Sequence, residues 1–451
     1  MKKKLENRKN NKSIIVSTLI FVITFIAMAG YLIYFNLTQA ESIINNSYNK
    51  RQGVLSRRTI RGSILSDDKT KLAVTNVDDD GNETRYYPYS GLFSHTIGYL
   101  NNGGYGLESL YGYYMLHSNQ NFFEQIGNDL SGNRNTGDNV VTTLNVGLQK
   151  ACYDALGSNR GAVIVMEPST GKILAMVSKP DFDPNTLAAN WSQITGEGSD
   201  SVLVNRATQG LYPPGSTFKL ITMLEYLREH KNDYGQYHYI CDGTYELGNN
   251  TINCVRTTAH GDVDLFSSLA VSCNCSFINI GLSLDLDRYK KTAEKMLFNK
   301  ELPTNLEYNK SRFVLNGESS EWDIAQTSFG QGKTVITPFH LALITCTIAN
   351  NGTLMEPYLV SSVESTNGMI VKKFKEEKYD TLITEKEASL LKKGMEQVVK
   401  DSFSWLFGGV EYTLAAKSGS AQYGTEGYEH SLYASFSPAD NPEIAVVAGG
   451  G

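Results

Sequence analysis

Proline is scarce, with 11 residues in 451, and tryptophan scarcer still at 3. No segment repeats and none is of low complexity, which excludes a collagen-like fibre and a disordered tail. Six cysteines over this length are too few for a small disulfide-stapled scaffold. Positive charge is also short: the net charge is −6, and the first 13 residues alone carry six Lys/Arg against one Glu. The rest of the chain therefore stands at −11. A body that acidic is poorly suited to neutralising phosphates, so nucleic acid is excluded as a partner class. No Gly-x-Ser-x-Gly elbow occurs, and the seven histidines are scattered without a triad or zinc pair. Gly330-Gln-Gly-Lys-Thr334 ends like a phosphate-binding loop, but Thr327 stands where the first glycine is required.

Only one long apolar run is present. Ile14 to Leu37 holds 24 residues without a charge. As a helix at about 1.5 Å per residue it reaches roughly 36 Å, enough for a hydrocarbon core of about 30 Å. A cleaved secretory signal has a shorter apolar region, about 7–15 residues. Lys2, Lys3, Lys4, Arg8, Lys9 and Lys12 precede the run, a bias that keeps the N-terminus cytoplasmic. The expectation is a single-pass membrane protein with everything after the span outside. That exterior permits disulfides. Cys241 and Cys254 flank a Gly/Asn-rich loop and are either bridged or free. Cys273 and Cys275 lack partners at recognised metal-ligand spacings and read as buried unpaired thiols. No metal or other cofactor is expected.

The organisation reads as a cytoplasmic tail (1–13), an anchor (14–37), an extracytoplasmic module (38–145) and a larger domain (146–451). Residues 38–60 read as a juxtamembrane helix or stalk, and Arg61 to about Asp138 as an irregular α+β unit. Val146–Leu156 predicts a short amphipathic helix. Ala162–Met166 and Ile173–Val177, two apolar runs around a Pro/Gly turn, predict a β-hairpin. Helical patterning dominates 216–300 and returns near 337–350 and 385–400. Leu414–Ala416, Tyr433–Phe436 and Ile444–Val447 read as strands, so one sheet is completed from both ends of an α+β domain.

Ser-x-x-Lys occurs five times, starting at Ser47, Ser66, Ser169, Ser216 and Ser389, so the spacing alone decides nothing. Context singles out Ser216. It follows Pro213-Pro214-Gly215 and opens an apolar helix, where Lys219 shares its face and its Oγ meets the positive end of the dipole. A buried or cation-flanked lysine loses its proton readily and acts as a base. Ser272-Cys273-Asn274 follows inside a small-residue helical stretch, and Lys417-Ser418-Gly419-Ser420 follows beyond Leu414–Ala416.

This ordered trio resembles the penicillin-binding protein and serine β-lactamase superfamily, with its Ser-x-x-Lys, Ser-Asp-Asn and Lys-Thr-Gly motifs. Cys stands at the middle of the second motif and Ser replaces Thr in the third. Further likenesses to class B penicillin-binding proteins are Arg61-Gly-Ser-Ile64, Gly106-Leu-Glu108, Gly161–Pro180, Tyr212–Ser216, Gly330-Gln-Gly332 with Thr337-Pro338, and His430 to Ala445. The short N-terminal module is similar to penicillin-binding protein A types. Members continue with a helix after the last strand, which ends here at Gly449-Gly-Gly451.

The resemblance implies an antiparallel sheet flanked by helices, with a helical subdomain, and D,D-transpeptidase activity on peptidoglycan stem peptides. It implies Ser216 as nucleophile, Lys219 as its base, Ser272 as proton relay, Asn274 as orienting amide and Lys417 as a positive charge. Ser418, Gly419 and Ser420 would bind substrate, with the N–H groups of Ser216 and Ser420 as oxyanion hole. β-Lactams would acylate Ser216, and a membrane glycosyltransferase is the implied protein partner. The alternatives are a D,D-carboxypeptidase, a β-lactamase or β-lactam sensor, for which Glu301–Asn305 is a faint cue, and a non-catalytic scaffold of division or elongation machinery.

Overall fold

The computed structural model describes residues 2–38, 59–101, 103–196, 198–423 and 428–451. The stalk expected at 38–60 lies almost wholly outside these residues. Helix α1 (Lys2–Thr38) contains the apolar stretch Ile14–Phe35, with mean hydropathy 2.3 and none of it buried against protein. Phe21, Phe25 and Ile26 are each more than two-thirds or nearly two-thirds exposed. An apolar helix this long and this exposed fits a single-pass membrane anchor.

The N-terminal module contributes β1 (Ile64–Leu65), β2 (Lys71–Val77), β3 (Glu83–Tyr86) and β4 (Asn139–Thr142). Glu108 is fully buried beneath them and accepts hydrogen bonds from Arg61 Nε at 2.8 Å and Arg85 Nε at 2.7 Å. Burial pushes this carboxyl up, but the two guanidinium groups outweigh it and hold the pKa below its ordinary value. The Arg-Gly and Gly-Leu-Glu elements of the sequence thus meet as one ion cluster.

The larger domain begins with α2 (Val146–Leu156) and the hairpin β5 (Gly161–Met166) and β6 (Ile173–Lys179). Next come α3 (Lys219–Glu229) and four short strands, β7 (His238–Cys241), β8 (Thr244–Leu247), β9 (Asn250–Asn253) and β10 (Gly261–Asp264). They are followed by α4 (Leu265–Ala270), α5 (Asn274–Ser283) and α6 (Pro338–Ala349). The chain then runs through β11 (Val360–Glu364), β12 (Ile370–Lys373) and α7 (Glu385–Ser402) to β13 (Ala415–Tyr423), β14 (Tyr428–Ser437) and β15 (Ile444–Gly450).

The main sheet has five strands in the order β13-β14-β15-β5-β6, all neighbours antiparallel. The early hairpin and the three last strands therefore share one sheet, as the two clusters of apolar runs predict. All of β5 is buried because helices cover both faces. Val163 and Val165 face α2 with Cys152, while Ile164 and Met166 join the main core, the two-residue alternation of a pleated strand. On the core side lies α6, buried along its entire length. Thr337 caps it by accepting from the His340 N–H at 3.1 Å, and Pro338 opens its first turn. A second sheet, ordered β12-β11-β4-β1-β2-β3, joins two strands from far along the chain to the N-terminal module.

Two expectations need correction. Helix does not run through 216–300: β7 pairs with β10 and β8 with β9, both antiparallel. These strands are short, polar and largely exposed, so they carry no apolar period, and a two-residue turn at Gly248 (φ +60°) makes the second hairpin. The Lys417 motif lies within β13 rather than beyond a strand. Cys241 and Cys254 are not bridged: their sulfurs lie 3.8 Å apart and all six cysteines are free and buried.

Candidate active site

The nucleophile turn is built by backbone meeting backbone. Gly215–Phe218 forms a 3-10 turn that runs directly into α3. Gly215 has φ +55°, and a Cβ there would lie 2.7 Å from the Ser420 carbonyl oxygen. A Cβ on Gly419 would lie 2.7 Å from the Pro214 oxygen and 3.0 Å from the Ser216 nitrogen. Only glycine at both positions lets β13 lie against the turn, which brings the Ser216 and Ser420 backbones together. The Gly330-Gln-Gly segment supports the turn from behind: Gly215 N–H donates to the Gly330 carbonyl at 2.9 Å. Tyr212 and Ile336 exchange two backbone hydrogen bonds, at 2.9 and 2.8 Å.

Ser216 is half-buried at the head of this turn. Lys219, one turn later, is fully buried. Its Nζ donates to the Ser272 carbonyl at 2.7 Å and to Asn274 Oδ1 at 2.8 Å, and it lies 3.2 Å from Ser272 Oγ. Lys417, also fully buried, reaches the same Ser272 Oγ from β13 at 3.0 Å and donates to the Ser418 carbonyl at 2.9 Å. One hydroxyl thus stands between two amines. Accepting from them leaves its own proton free to point away, toward the cleft.

Burial pushes Lys219 down to about 7, against a weaker opposing pull from Cys273, Cys254 and Cys275. Lys417 is held well below its ordinary value by burial and by Lys219. No carboxylate contributes to either shift. A dry amine without a carboxylate beside it gives up its proton more readily, which is the state a base requires.

Ser272 lies in the break between α4 and α5, not inside a helix as its small neighbours suggest. Its φ is +55°, a left-handed conformation uncommon for a residue with a Cβ. Backbone hydrogen bonds from Ser272 N–H to Leu269 and from Cys273 N–H to Ser268 close the end of α4. Asn274 opens α5, and its Nδ2 donates to the Asn253 carbonyl at 3.0 Å. That contact, which orients the amide, was invisible in the sequence, because nothing in the spacing pairs residue 253 with 274.

Lys219, Ser272, Asn274 and Lys417 therefore converge, and Gly419 is pressed on the turn that carries Ser216. Ser418 and Ser420 differ. The pleat of β13 turns their side chains to the face opposite Lys417, where they line a groove with Tyr433, Leu156, Arg160 and Gly449. Only their backbones, at the free edge of β13, adjoin the nucleophile. Glu301 lies elsewhere, hydrogen-bonded to the Tyr308 hydroxyl and paired with Lys310 on the surface.

The family model for the penicillin-binding protein transpeptidase domain matches residues 161–449. That for the penicillin-binding protein A dimerisation domain matches residues 61–140. Peptidoglycan D,D-transpeptidase PbpA of Mycolicibacterium smegmatis is 30% identical over 393 residues, 81% of this chain and 77% of its own. Among solved structures, penicillin-binding protein A of M. tuberculosis as a ceftriaxone acyl-enzyme complex matches with a TM-score of 0.79 and 28% identity, over 88% of this chain and 93% of that one. The D,D-transpeptidase domain of a peptidoglycan glycosyltransferase from Eggerthella lenta matches with a TM-score of 0.78 and 29% identity, over 87% and 93%. Likeness in both the module and the larger domain, around a site with this geometry, means that the chain belongs to the penicillin-binding protein transpeptidase family.

Proposed function

We propose that the protein is a peptidoglycan D,D-transpeptidase acting through a Ser216 acyl-enzyme. The observation that carries this reading is the contact of Lys219 and Lys417 with one hydroxyl, Ser272 Oγ, beside the nucleophile turn. Neutral Lys219 takes the Ser216 proton as Oγ attacks the carbonyl between two D-Ala residues. Negative charge then develops on the carbonyl oxygen. The N–H groups of Ser216 and Ser420 receive it, each donor contributing on the order of 3 kcal/mol to the transition state. Ser272 passes its proton to the departing amine and is resupplied by the lysine behind it. The terminal D-Ala leaves, and the amine of a second stem peptide resolves the ester, dividing the acyl transfer into two easier steps.

Asn274 orients Lys219 and the donor peptide amide. The donor carboxylate lies along the free edge of β13, where Lys417 supplies positive charge from one face and Ser418 and Ser420 reach round from the other. A β-lactam presents the same acyl group and leaves Ser216 esterified. The tail 1–13 is cytoplasmic, the anchor spans 14–37, and the module (38–145) and catalytic domain (146–451) stand outside the membrane. A membrane glycosyltransferase of the division or elongation machinery, which makes the glycan strands, is the partner this arrangement serves.

Incubation with a fluorescent penicillin tests the reading. The expected result is one covalent label whose mass shift maps to the Ser216 peptide and is absent in Ser216→Ala. Labelling that survives Ser216→Ala would refute it. Turnover of a stem-peptide donor with and without an added amine acceptor separates cross-linking from carboxypeptidase activity.

A further inference from the structure

The Glu301–Asn305 stretch has no part in the catalytic arrangement, yet it forms one side of a groove where the N-terminal module meets the catalytic domain. Two pockets, of about 250 and 350 Å³, lie along this groove and share a wall made by Asn305, Leu306 and Leu359. Together they fall within the size range of small-molecule sites, about 300–1,000 Å³. The loop that borders them is held in place. Leu302 N–H donates to the Tyr308 hydroxyl at 2.8 Å, and Asn309 N–H donates to the Thr208 carbonyl at 3.0 Å. The second bond fastens the loop to the segment that leads to Ser216.

The two pockets differ in chemistry. The second is walled by flat apolar groups, Tyr111, Tyr358 and Phe374 with Pro303 and Pro357. The rings of Tyr111 and Phe374 meet edge to face at 5.8 Å, which fixes both. The first is polar at its inner end, where His95 and Thr208 are buried. Neither His95 Nδ1 nor Thr208 Oγ1 has a hydrogen-bond partner among the described residues. His95 Nε2 lies 3.1 Å from the Pro180 carbonyl, which can only accept, so Nε2 carries the proton and Nδ1 offers a lone pair. Burial pushes the His95 pKa down to about 4, so the ring stays neutral. Each unmatched group costs stability until something pairs with it.

Charge and backbone narrow the occupant. No lysine or arginine is among the described residues lining either pocket, and Glu307 and Glu356 stand exposed at the rims. A phosphate or carboxylate ligand therefore finds no counter-charge. A peptide added as a strand finds no free edge: β11 is paired on both sides, with β4 and β12, and the Tyr358 N–H and carbonyl are taken by Gly171 and Ile173. What fits is an uncharged molecule with flat C–H faces for the aromatic walls and hydroxyl or amide donors for His95, Thr208 and the rim carboxylates. We propose that this groove binds the amino-sugar backbone of a cell-wall glycan strand, one sugar ring in each pocket, as a docking site separate from the acyl-transfer site. The choice of glycan rests on the peptidoglycan reading above; the preference for a neutral, hydroxyl-rich ligand does not.

Calorimetric titration of the full-length chain in a sugar-free detergent tests the proposal. The probe is chitotetraose, a soluble β-1,4-linked N-acetylglucosamine chain, with maltotetraose as control. Chitotetraose is expected to bind once per chain and maltotetraose not at all. Phe374→Ala, which removes a wall, and Asn305→Ala at the exposed rim each weaken binding about tenfold. Should Phe374→Ala fail to fold, Asn305→Ala decides. With a stem-peptide donor carried on a disaccharide, both variants raise KM about tenfold and leave kcat unchanged, the signature of lost uniform binding. With the sugar-free peptide donor neither constant moves, a split that a merely damaged fold does not produce. A wild-type chain that ignores chitotetraose, binds maltotetraose equally well, or releases chitotetraose to a sugar-free stem peptide overturns the glycan site, as does binding that survives both variants. A chain that labels with fluorescent penicillin yet ignores chitotetraose strikes the groove alone. One that binds chitotetraose yet never labels leaves the groove standing and counts against the acyl-transfer reading alone.

Discussion

The protein buries charge in two places and treats it in opposite ways. In the N-terminal module, Glu108 stands between Arg61 and Arg85, and its carboxylate oxygens each take a guanidinium N–H. In the catalytic domain, Lys219 and Lys417 are just as buried but share only a hydroxyl, with no carboxylate to compensate them. The first cluster is closed on itself and contributes geometry. The second is incomplete, and that unrelieved burial converts a lysine into a base near neutral pH. Whether a buried cation is structural or chemical is decided by what stands opposite it.

The sharpest way to break this contrast is to remove each cluster's key group and read activity and stability together. Lys219→Met is expected to slow β-lactam acylation by about 10³-fold or more, measured by stopped-flow competition with a reporter substrate. It leaves the melting temperature unchanged or raised, because a desolvated amine gives way to an apolar chain of similar length. A large fall in melting temperature would show that the amine is structural after all.

Glu108→Gln is expected to do the reverse. It leaves two buried guanidinium groups without their charge partner, at a cost of about 3–5 kcal/mol in unfolding, while the fraction that stays folded acylates at the wild-type rate. Because the Glu108 pKa is lowered in the folded state, its contribution is present above the ordinary carboxylate pKa and is lost as pH falls through the folded value. The variant therefore also loses part of the acid sensitivity of the wild type.

The pH dependence sharpens the comparison further. Acylation is expected to rise as pH climbs through about 7, where Lys219 sheds its proton, and then to level off. For stability the sign is the same. The unfolded chain holds that proton up to 10.5 and the folded one only to about 7, so this group's contribution improves as pH rises across that interval. Lys219→Met removes both slopes, and a flat wild-type profile would refute the assignment of Lys219 as base. A smaller effect is expected at Thr222, one turn further along α3, whose hydroxyl contacts the Tyr289 hydroxyl at 2.6 Å and the Ser328 carbonyl at 2.8 Å. Thr222→Val is expected to lose about 1–2 kcal/mol by denaturant titration, with little change in acylation.

Much of the site was legible because its parts are spelled in short, ordered motifs: Ser216 and Lys219, Ser272 and Asn274, Lys417 and Gly419. The main sheet was legible too, since β5, β6 and β15 are apolar runs that only a buried strand explains. What escaped was tertiary. Strands β7 to β10 are polar and exposed, so no period marks them, and without them nothing brings Cys241, Cys254 and His260 toward Cys273. The left-handed turn at Ser272 reads as helix because its neighbours are small. The facing of Ser418 and Ser420 depends on the pleat of β13, and the motif, read as lying beyond a strand, turned out to be part of one.

The order of strands in the main sheet also governs when the protein can work. Strand β5 lies near the start of the catalytic domain, yet its neighbour β15 is not reached until Ile444. Lys417 belongs to the same late group. A chain leaving the ribosome must therefore hold its early hairpin without this neighbour until β15 has been made, since pairing this distant in sequence forms late. The cleft is whole only once β13 to β15 have joined the early hairpin, so a partly made molecule lacks both Lys417 and the strand edge that borders Ser216.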